Sequence, residues 1–252
     1  MGKSFDQVFR GNAGSGGSGP NVTEVFSTHM YTGTGSSLVI NNGIDLSTEG
    51  GMTWIKNREA SDPHVLTDTA RGATKRLASD SNAAEATDTD TLTSFNSNGF
   101  TVGGDVKVNT SGEEYVSWTF RKAPGFFDVV TYSGNEVNGR AISHNLGVKP
   151  SSIWIKCRNS AEDFACWYQA LHSTGNMLRL NQPDTSDGFD SRFDVGEPTD
   201  SVFYVGTDNQ VNASGGKTYV AYLFAGAAGD GAFGDDGYQD IIRIGSYVGN
   251  GA

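Results

Sequence analysis

Cysteine is scarce in this chain, and the scarcity excludes a fold held together by disulfides. Cys157 and Cys166 are the only cysteines in 252 residues, too few for a disulfide framework and wrongly spaced for a metal site. If residues 152–158 and 163–169 form a hairpin, Cys157 faces Phe164 and Cys166 is its diagonal neighbour on the same face. We expect both to be reduced thiols in a core, because the N-terminus indicates synthesis in the cytoplasm.

Long apolar runs and an excess of basic residues are also missing. No stretch approaches the ~18 apolar residues of a membrane-spanning helix, and Met1-Gly-Lys-Ser-Phe-Asp6 lacks the apolar segment of a secretory signal. The 18 basic residues are outnumbered by 29 acidic ones, and the resulting net charge of −11 repels phosphate backbones. We therefore expect no membrane insertion and no nucleic-acid partner.

No long segment has apolar residues at helical spacing, whereas glycine is abundant. The 34 glycines, with Ser, Thr, Asn and Asp between apolar patches, are typical of an all-β fold. The alternation in Trp154-Ile-Lys-Cys-Arg158 predicts a sheet that is packed on one side only. Residues 79–88 are the one predicted helical segment. The clearest predicted strands of the first half are 36–40, 52–56, 115–121 and 126–132.

Two stretches of about a hundred residues repeat each other. The first opens with Tyr31-Thr-Gly33 and the second with Tyr132-Ser-Gly134, and a third copy of this motif, Tyr247-Val-Gly249, comes near the end. Further landmarks keep an offset of 100 to 104 residues: Trp54-Ile-Lys and Trp154-Ile-Lys, Phe100-Thr-Val-Gly and Phe203-Tyr-Val-Gly, Val108-Asn-Thr-Ser-Gly and Val211-Asn-Ala-Ser-Gly, Trp118 and Tyr222. The near-constant offset predicts duplication of one folding unit, and the third copy predicts further repeats beyond residue 252.

These patterns divide the chain into segments, with tandem β-sandwich modules of jelly-roll or lectin-like type behind an extended arm. The segments are an N-terminal tethering arm with a Gly/Ser linker (1–21), a first repeat (22–123), a second repeat (124–226), a Gly/Asp linker (227–240) and the first strand of a truncated third repeat (241–252). Within the arm, Phe5, Val8, Phe9 and Arg10 are the residues expected to dock into a larger particle.

Exposed aromatic rings beside Asn and Asp are typical of sugar-binding sandwiches, which makes Trp167, Tyr168 and Trp118 candidate ligand-binding residues. An aromatic position that recurs in both repeats, such as Trp54 and Trp154, more often belongs to a core or an interface. The glycosylation-type motifs at Asn109 and Asn212 belong to a duplicated turn, and we interpret them as turns.

Acidic clusters raise the alternative of a calcium site. Asp187, Asp190, Asp235 and Asp236 offer suitable oxygen ligands, but their spacing does not match an EF-hand loop. The four histidines are too far apart for a zinc site. Glu113, Glu114, Glu136 and Glu162 are the carboxylates available for glycoside hydrolysis. Gly216 and Lys217 replace the first two in the second repeat, which argues against a glycosidase. We expect no enzyme and no cofactor, with calcium as the open alternative.

The sequence motifs of the first repeat resemble those of structural proteins of tailed bacteriophages from aquatic bacteria, labelled tail-fibre or virion proteins. The similarity covers residues 30–225, restarts at 241, and rests on the following motifs: Tyr31-Thr-Gly-Thr-Gly-Ser36, Asn42-Gly-Ile-Asp-Leu46, Trp54-Ile-Lys56, His64-Val-Leu-Thr-Asp-Thr-Ala-Arg-Gly72 and Tyr115-Val-Ser-Trp-Thr-Phe-Arg-Lys-Ala-Pro124. The second repeat departs from the His64 to Gly72 motif and retains only His172-Ser-Thr-Gly175 nearby. If that motif binds a ligand, the second repeat is not expected to bind it.

This resemblance implies a virion location and a structural role, as a tail, neck or head fibre that attaches to host-surface glycans. Other virion proteins of the portal, neck, tail or capsid are the expected partners, and a homotrimer is expected by analogy with fibres. One alternative is a decoration protein that stabilises the head. A second alternative is an appendage enzyme that degrades glycans.

Overall fold

The structure is a computed structural model, and it describes residues 20–172, 176–183, 187–188, 191–193, 195–245, 247 and 250. The described chain is mostly β-sheet, with three helices of four residues each. The all-β prediction is therefore confirmed. Phe5, Val8, Phe9 and Arg10 of the predicted arm lie outside the described residues.

The strands of the two halves follow each other in the same order, except that the first half has one strand more than the described part of the second, and the short helices lie at different places. The first comprises α1 (Val22–Val25), β1 (Phe26–Thr32), β2 (Leu38–Asn41), β3 (Gly51–Asn57), β4 (Val65–Asp68), β5 (Lys75–Ala78), β6 (Ala86–Thr87), β7 (Leu92–Asn96), β8 (Gly99–Val102), α2 (Val106–Asn109) and β9 (Glu114–Arg121). The second comprises β10 (Phe127–Ser133), β11 (Arg140–Ser143), β12 (Ser152–Cys157), β13 (Ala165–Tyr168), α3 (Gln169–His172), β14 (Asn176–Arg179), β15 (Asp187–Gly188), β16 (Val202–Val205) and β17 (Thr218–Phe224).

Each half builds one six-stranded antiparallel sheet and one smaller sheet. The large sheets have the order β1-β9-β3-β4-β5-β6 and β10-β17-β12-β13-β14-β15, which is the same order once the repeat offset is applied. The small sheets are β2-β8-β7 and β11-β16. The pairing of Trp54 with Trp118 in the first repeat recurs as the pairing of Trp154 with Tyr222 in the second. The duplicated sequence therefore folds into duplicated sheets.

Inside each repeat, one face of the large sheet packs on the small sheet. In the first repeat Ile40 and Phe100 of the small sheet share a buried cluster with Ile55 and Val65 of the large sheet. Ile142 and Phe203 meet Ile153 and Ile155 in the same way in the second repeat. The apolar residues at alternate strand positions supply these cores, as the period of two requires.

The other face of each large sheet is buried too, against the large sheet of the neighbouring repeat. Met52, Leu66 and Leu77 of the first repeat belong to one buried cluster with Val220 and Phe224 of the second. The prediction of a sheet packed on one side only is therefore wrong. Alternation along each strand is as predicted, but most side chains of the second face are also covered, except on edge strands, where Thr28 and Met30 are exposed. The layers therefore run small sheet, large sheet, large sheet, small sheet.

Equivalent residues meet across this interface. The rings of Trp54 and Trp154 are 6.0 Å apart, and those of Phe120 and Phe224 are 5.8 Å apart. The two large sheets face each other with equivalent sides, so the rotation that relates them must reverse the direction perpendicular to the sheet. Only a rotation of half a turn does this. The repeats are therefore related by an approximate twofold axis, as in a symmetric dimer whose two subunits are joined in one chain.

A shared tyrosine and asparagine arrangement explains the most conspicuous repeat motif. Tyr31 stacks on Tyr115 at 5.2 Å and donates to the carbonyl of Val108 at 2.7 Å. Gly33 is needed in the Tyr-x-Gly motif because a β-carbon there would lie 2.0 Å from the Thr110 carbonyl oxygen. In the second repeat Tyr132 stacks on Tyr219 at the same distance, and Gly134 meets the Ala213 carbonyl at 2.0 Å.

The asparagines of the two glycosylation-type motifs are buried in the same part of each repeat. We call the stacked tyrosines and the buried asparagine of a repeat its corner. Asn109 accepts a hydrogen bond from the Thr34 amide at 2.7 Å and donates to the Gly103 carbonyl at 2.6 Å. Asn212 repeats this pattern, with its side chain donating to the Gly206 carbonyl at 2.8 Å. Both residues are fully buried. The prediction that these motifs are structural turns is confirmed.

Some local predictions were wrong. Residues 79–88 contain turns and strand β6 rather than a helix, because the Glu85 amide donates to the Arg158 carbonyl of the second repeat at 2.7 Å. The hairpin of β12 and β13 pairs Trp154 with Cys166, one residue away from the predicted register. A slip of one residue reverses the faces, so Cys157 and Cys166 belong to different cores. Both are buried and free, as expected for reduced thiols.

The segments after the second repeat lie against it. In the predicted 227–240 linker, Phe233 is buried and packs 6.2 Å from the ring of Phe126. Among the described residues of the predicted third repeat, 241–245 form no strand. Instead Ile241 and Ile244 pack on the core between the large sheets. Tyr247 is exposed, and the remaining residues of its motif lie outside the described part.

Candidate functional site

The interface between the large sheets contains a connected row of aromatic side chains. The Trp118 ring lies 5.6 Å from Trp54, and Trp54 lies 6.0 Å from Trp154. The Trp154 indole nitrogen then donates to the Tyr168 hydroxyl at 3.1 Å. The prediction that Trp54 and Trp154 belong to an interface is confirmed.

A buried ionic group lies within this interface. The Arg71 Nε donates to Asp68 Oδ2 at 2.5 Å, and both side chains are completely buried. From the second repeat, Tyr222 donates to Asp68 Oδ2 at 2.8 Å and accepts from Arg71 Nη2 at 3.1 Å. Arg71 Nη2 also donates to the Leu66 carbonyl at 3.0 Å. Each charge therefore has the partners that a buried ion needs.

Burial and pairing set the protonation of this group. Burial lowers the pKa of Arg71, but Asp68, Tyr222 and Glu85 together more than offset burial and hold that pKa above its ordinary value. Burial raises the pKa of the Tyr222 hydroxyl well above its ordinary value. Arg71 is therefore charged and Tyr222 neutral at any physiological pH.

A second ion pair extends the group toward the edge of the interface. Glu85 of the first repeat accepts from Arg158 Nε at 2.9 Å and from Arg158 Nη2 at 3.0 Å, and its Oε2 lies 3.3 Å from Arg71 Nη1. Burial raises the pKa of Glu85, but Arg158 and Arg71 more than offset burial, so the pKa lies below its ordinary value. Nearby, Lys156 donates to the Asn82 carbonyl at 3.1 Å, and burial lowers its pKa to about 8.

We call Asp68, Arg71, Glu85, Tyr222 and Arg158 the clamp. It is present once, although the interface is nearly symmetric. At the equivalent positions of the other half, Tyr168 replaces Asp68, Leu171 replaces Arg71 and Trp118 replaces Tyr222. A mainly apolar cavity of about 380 Å³ lies there, lined by Tyr168, Leu171 and Leu178 among others.

Sequence reasoning did not identify the clamp, although one signal pointed to it. The motif from His64 to Gly72 contains Asp68 and Arg71 and is missing from the second repeat. This difference between the repeats predicts that whatever the motif contacts is contacted by the first repeat alone. Within the protein, the partner that this motif contacts is the second repeat itself, through Tyr222.

Each repeat also has an open depression at the ends of its central strands. The first is lined by Leu46, Thr48 and Lys122 among others, and the second by Ser151, Ala228 and Arg243 among others. Each has a volume of about 510 Å³. Three lining positions correspond between the repeats, and these are Thr69 and Gln169, Ala70 and Ala170, Lys122 and Gly226.

The predicted ligand-binding aromatics have different surroundings. Trp167 is 1% exposed and lies in the core of the second repeat, so its ring cannot stack on an external sugar, and this prediction is wrong. Trp118 is partly buried beside Trp54. Tyr168 is partly buried and lines the apolar cavity, and burial raises the pKa of its hydroxyl to about 12. The structure therefore separates Trp167 from the other two.

The predicted calcium ligands are not brought together in the described part of the chain. Asp235 and Asp236 are exposed, the backbone of Asp187 lies in β15, and Asp190 is outside the described residues. Among described residues no cluster of three or more potential metal ligands occurs. The neighbouring acids hold turns, since Asp230 accepts from the Ala227 amide at 2.8 Å and Asp240 from the Gly231 amide at 2.8 Å.

The candidate hydrolytic carboxylates belong to hydrogen bonds that hold loops. Glu113 accepts from the Asn57 amide at 2.6 Å, and Glu114 accepts from the Thr32 hydroxyl at the same distance. In the second repeat, Glu136 accepts from the Ser214 hydroxyl. Thr32 and Glu114 are paired residues of β1 and β9, and the contact of Glu136 with Ser214 joins the loop after β10 to the loop before β17.

Comparison with known proteins gives one family. Residues 21–252 match the DUF7483 family, described as a domain of unknown function, and the chain therefore belongs to that family. No curated protein and no solved structure matches the chain. None of the helices in the described part has the length and apolarity needed to cross a membrane.

Proposed function

We propose that this member of the DUF7483 family is a non-enzymatic structural protein of a tailed-phage virion. In this proposal residues 1–21 tether the chain to the particle, through Phe5, Val8, Phe9 and Arg10. The two repeats, as jelly-roll or lectin-like sandwiches, project as part of a tail, neck or head fibre. Copies associate as trimers with other virion proteins, and the outer surface binds host glycans.

The observation that supports the proposal most is the interface between the two large sheets, which we call the joint. Neighbouring domains in one chain move relative to each other unless their interface is large and apolar. Here a shared core of Met52, Leu66, Phe127 and Phe224 joins the large sheets, and the clamp adds paired charges across the joint. A unit of this kind holds a fixed length and direction, which is the property that a projecting fibre needs.

The resemblance of the repeat motifs to virion proteins supports the same proposal. The motifs coincide with parts of the structure that hold it together. Tyr31 and Tyr115 form the stacked corner, while Trp54 and the segment from His64 to Gly72 form the joint. These motifs therefore have a structural use that agrees with the proposed role.

Cryo-electron microscopy of the intact particle, with gold-labelled antibody against the repeats, tests the proposal. We expect density for the paired sandwiches at the tail, the neck or discrete head fibres, with residue 20 toward the particle. Labelling over the whole head, with loss of head stability on deletion, would instead assign the protein to head decoration. Absence of the protein from purified particles by mass spectrometry would refute both roles.

The tethering role has its own test in the arm. Replacement of Phe5 and Phe9 by serine should prevent incorporation into particles while leaving the thermal unfolding of the repeats unchanged. Serine at Gln7 and Asp6 is the matched control and should be incorporated normally. Hydrolysis of polysaccharide by the purified protein would argue for the enzyme alternative.

A further inference from the structure

The two depressions have positions that the repeat symmetry makes equivalent. In each, the residue after the fourth strand of the repeat donates its amide to the start of the central strand, at 3.0 Å from Thr69 to Gly51 and at 3.0 Å from Gln169 to Ser151. Lys122 and Gly226 follow the last strand of each repeat and line the respective depressions. The two depressions therefore share three equivalent positions, whereas their other lining residues come mostly from segments that do not correspond, 46–50 in the first and 227–228 with 243–245 in the second.

The two surfaces also share a chemical character. Hydroxyls of Ser47 and Thr48 border the first beside the rings and methyls of Phe95 and Leu46. In the second, Ser151 and Gln169 lie beside Ile244. The adjoining apolar cavity shares Ile244 with the second depression and adds the ring of Tyr168. Hydrogen-bonding groups next to apolar carbon and an aromatic ring are the surroundings in which proteins hold sugar rings.

The charges at both rims are already paired within the protein. Lys122 Nζ lies 2.9 Å from Asp128, and Arg243 Nη1 lies 3.3 Å from Asp240. Glu49 lies 4.0 Å from Arg121. No strong local field of either sign is left, and the net charge of −11 repels polyanions at longer range. An uncharged ligand suits these surfaces better than an acidic one.

The depressions lie on either side of the linker that joins the repeats. Lys122 lines the first depression and is four residues from Phe126. The Phe126 carbonyl accepts from the Ala225 amide at 2.9 Å, and Gly226 lines the second depression. At ~3.5 Å per extended residue, Lys122 and Gly226 are within roughly 20 Å of each other. The lining residues of the two depressions therefore come close to each other beside the linker.

We propose that each repeat binds a segment of a neutral glycan in its depression, so that one protein molecule engages the glycan at two sites built around the same three positions. This inference rests on the proposed function, because it assigns the host-glycan contact to defined residues. Linked sites raise the overall affinity even when each alone is weak. Thr48 and Ala228 are exposed lining residues at which an arginine would fill the depression without entering a core.

The test measures binding of named sugars by saturation-transfer NMR and titration calorimetry. The probes are maltoheptaose and neutral oligosaccharides of galactose, mannose, rhamnose and N-acetylglucosamine, with polygalacturonate and heparin as charged comparators. We expect at least one neutral probe to bind at two sites per chain. T48R and A228R should each remove one site, and the double variant should remove both. T23R and A232R place arginine at exposed positions outside the depressions and are the matched controls.

Several outcomes would overturn the inference. These are binding to no neutral probe at about 10 mM, binding only to the charged comparators, or equal binding by the depression variants and their controls. Unfolding temperatures measured in parallel identify any variant that has lost its fold. If one depression variant is unfolded, sugar binding by the other depression variant tests the inference. Location on the particle is measured separately, so a virion protein without glycan binding would leave the proposed function intact and reject this inference alone.

Discussion

The two repeats share one scaffold and differ where they meet. Strand order, the stacked tyrosine corner and the buried asparagine are the same in both. At the interface, the first repeat supplies Asp68 and Arg71, while the second supplies Tyr222. The two repeats thus share the parts that hold each repeat together and differ in the parts that join them. The features that the repeats share stabilise each repeat, whereas the residues that differ between them hold the two repeats together.

The clamp gives the joint a specificity that a symmetric interface lacks. Two copies of the first repeat packed face to face would set Arg71 against Trp118 rather than Tyr222. Two copies of the second would have neither Asp68 nor Arg71. Only the pairing of first with second satisfies the buried charges, so mispaired repeats, whether within a chain or between chains, are disfavoured.

The largest expected effect comes from removal of the clamp arginine. Arg71→Met leaves Asp68 buried without its partner and should lower the free energy of unfolding by about 3–5 kcal/mol. The equivalent change in the second repeat, Leu171→Met, should cost less than about 1.5 kcal/mol, because it exchanges one apolar side chain for another. Urea denaturation monitored by tryptophan fluorescence measures both.

A double variant separates the charge from the packing. Asp68→Leu combined with Arg71→Met removes both ions and should recover most of the lost stability. Similar losses for Arg71→Met and Leu171→Met would mean that the clamp contributes no more than its apolar counterpart. The difference between the repeats at this interface would then make no measurable contribution to the free energy of unfolding.

The buried asparagines should show the opposite result, an equal cost in both repeats. Asn109→Ala and Asn212→Ala each leave backbone groups of the corner unpaired, so each should lower the free energy of unfolding by about 2–4 kcal/mol. Exposed Asn98→Ala is the control and should change little. A difference of more than about 2 kcal/mol between the two variants would show that the corners are not energetically equivalent.

Tyr222 has a hydroxyl, whereas Trp118 at the equivalent position of the first repeat has none, and removal of this hydroxyl tests what it contributes. Tyr222→Phe keeps the ring but removes the hydrogen bonds to Asp68 and Arg71, and should cost about 1–3 kcal/mol. Tyr204→Phe, in which the hydroxyl belongs to β16 rather than to the interface, is the matched control. An unchanged denaturation midpoint for Tyr222→Phe would indicate that water replaces the hydroxyl in the clamp.

The smallest expected effect is a dependence on alkaline pH that comes from one repeat. Lys156 has a folded pKa of about 8, against about 10.4 in an unfolded chain. Between these values the unfolded state binds more protons, so the free energy of unfolding should rise with pH, by about 1–2 kcal/mol from pH 8 to pH 10. Lys156→Met should flatten this rise, while Lys56→Met should retain it.

Above about pH 10 the trend should reverse. Burial raises the pKa of Tyr132 and Tyr222 well above its ordinary value, so these hydroxyls stay protonated in the fold while the unfolded chain releases their protons. The folded state then binds more protons, and stability falls as pH rises. A curve that rises without a maximum would contradict the burial of these tyrosines.

Some parts of the candidate site could be predicted from the sequence and others could not. Periodicity placed Trp54 and Trp154 on equivalent strands, and recurrence marked them as interface residues, because a repeated ring outside one core must pack on something. Trp167 was assigned to the surface although it lies in a core, since a one-residue register shift decides which face of β13 it occupies. The clamp required knowledge of which residues face each other at sequence separations such as the 151 residues between Arg71 and Tyr222.

The sequence by itself determined the all-β class, the duplication and the structural role of the Asn109 and Asn212 turns. These features depend on local alternation, glycine positions and recurrence, all of which can be counted along the chain. Only the tertiary structure decided that the two large sheets share a core, that Cys157 and Cys166 lie in different cores, and that Arg71 is paired across the joint. Those outcomes depend on register and on how one sheet is rotated against another, and a periodic pattern of two residues contains neither quantity.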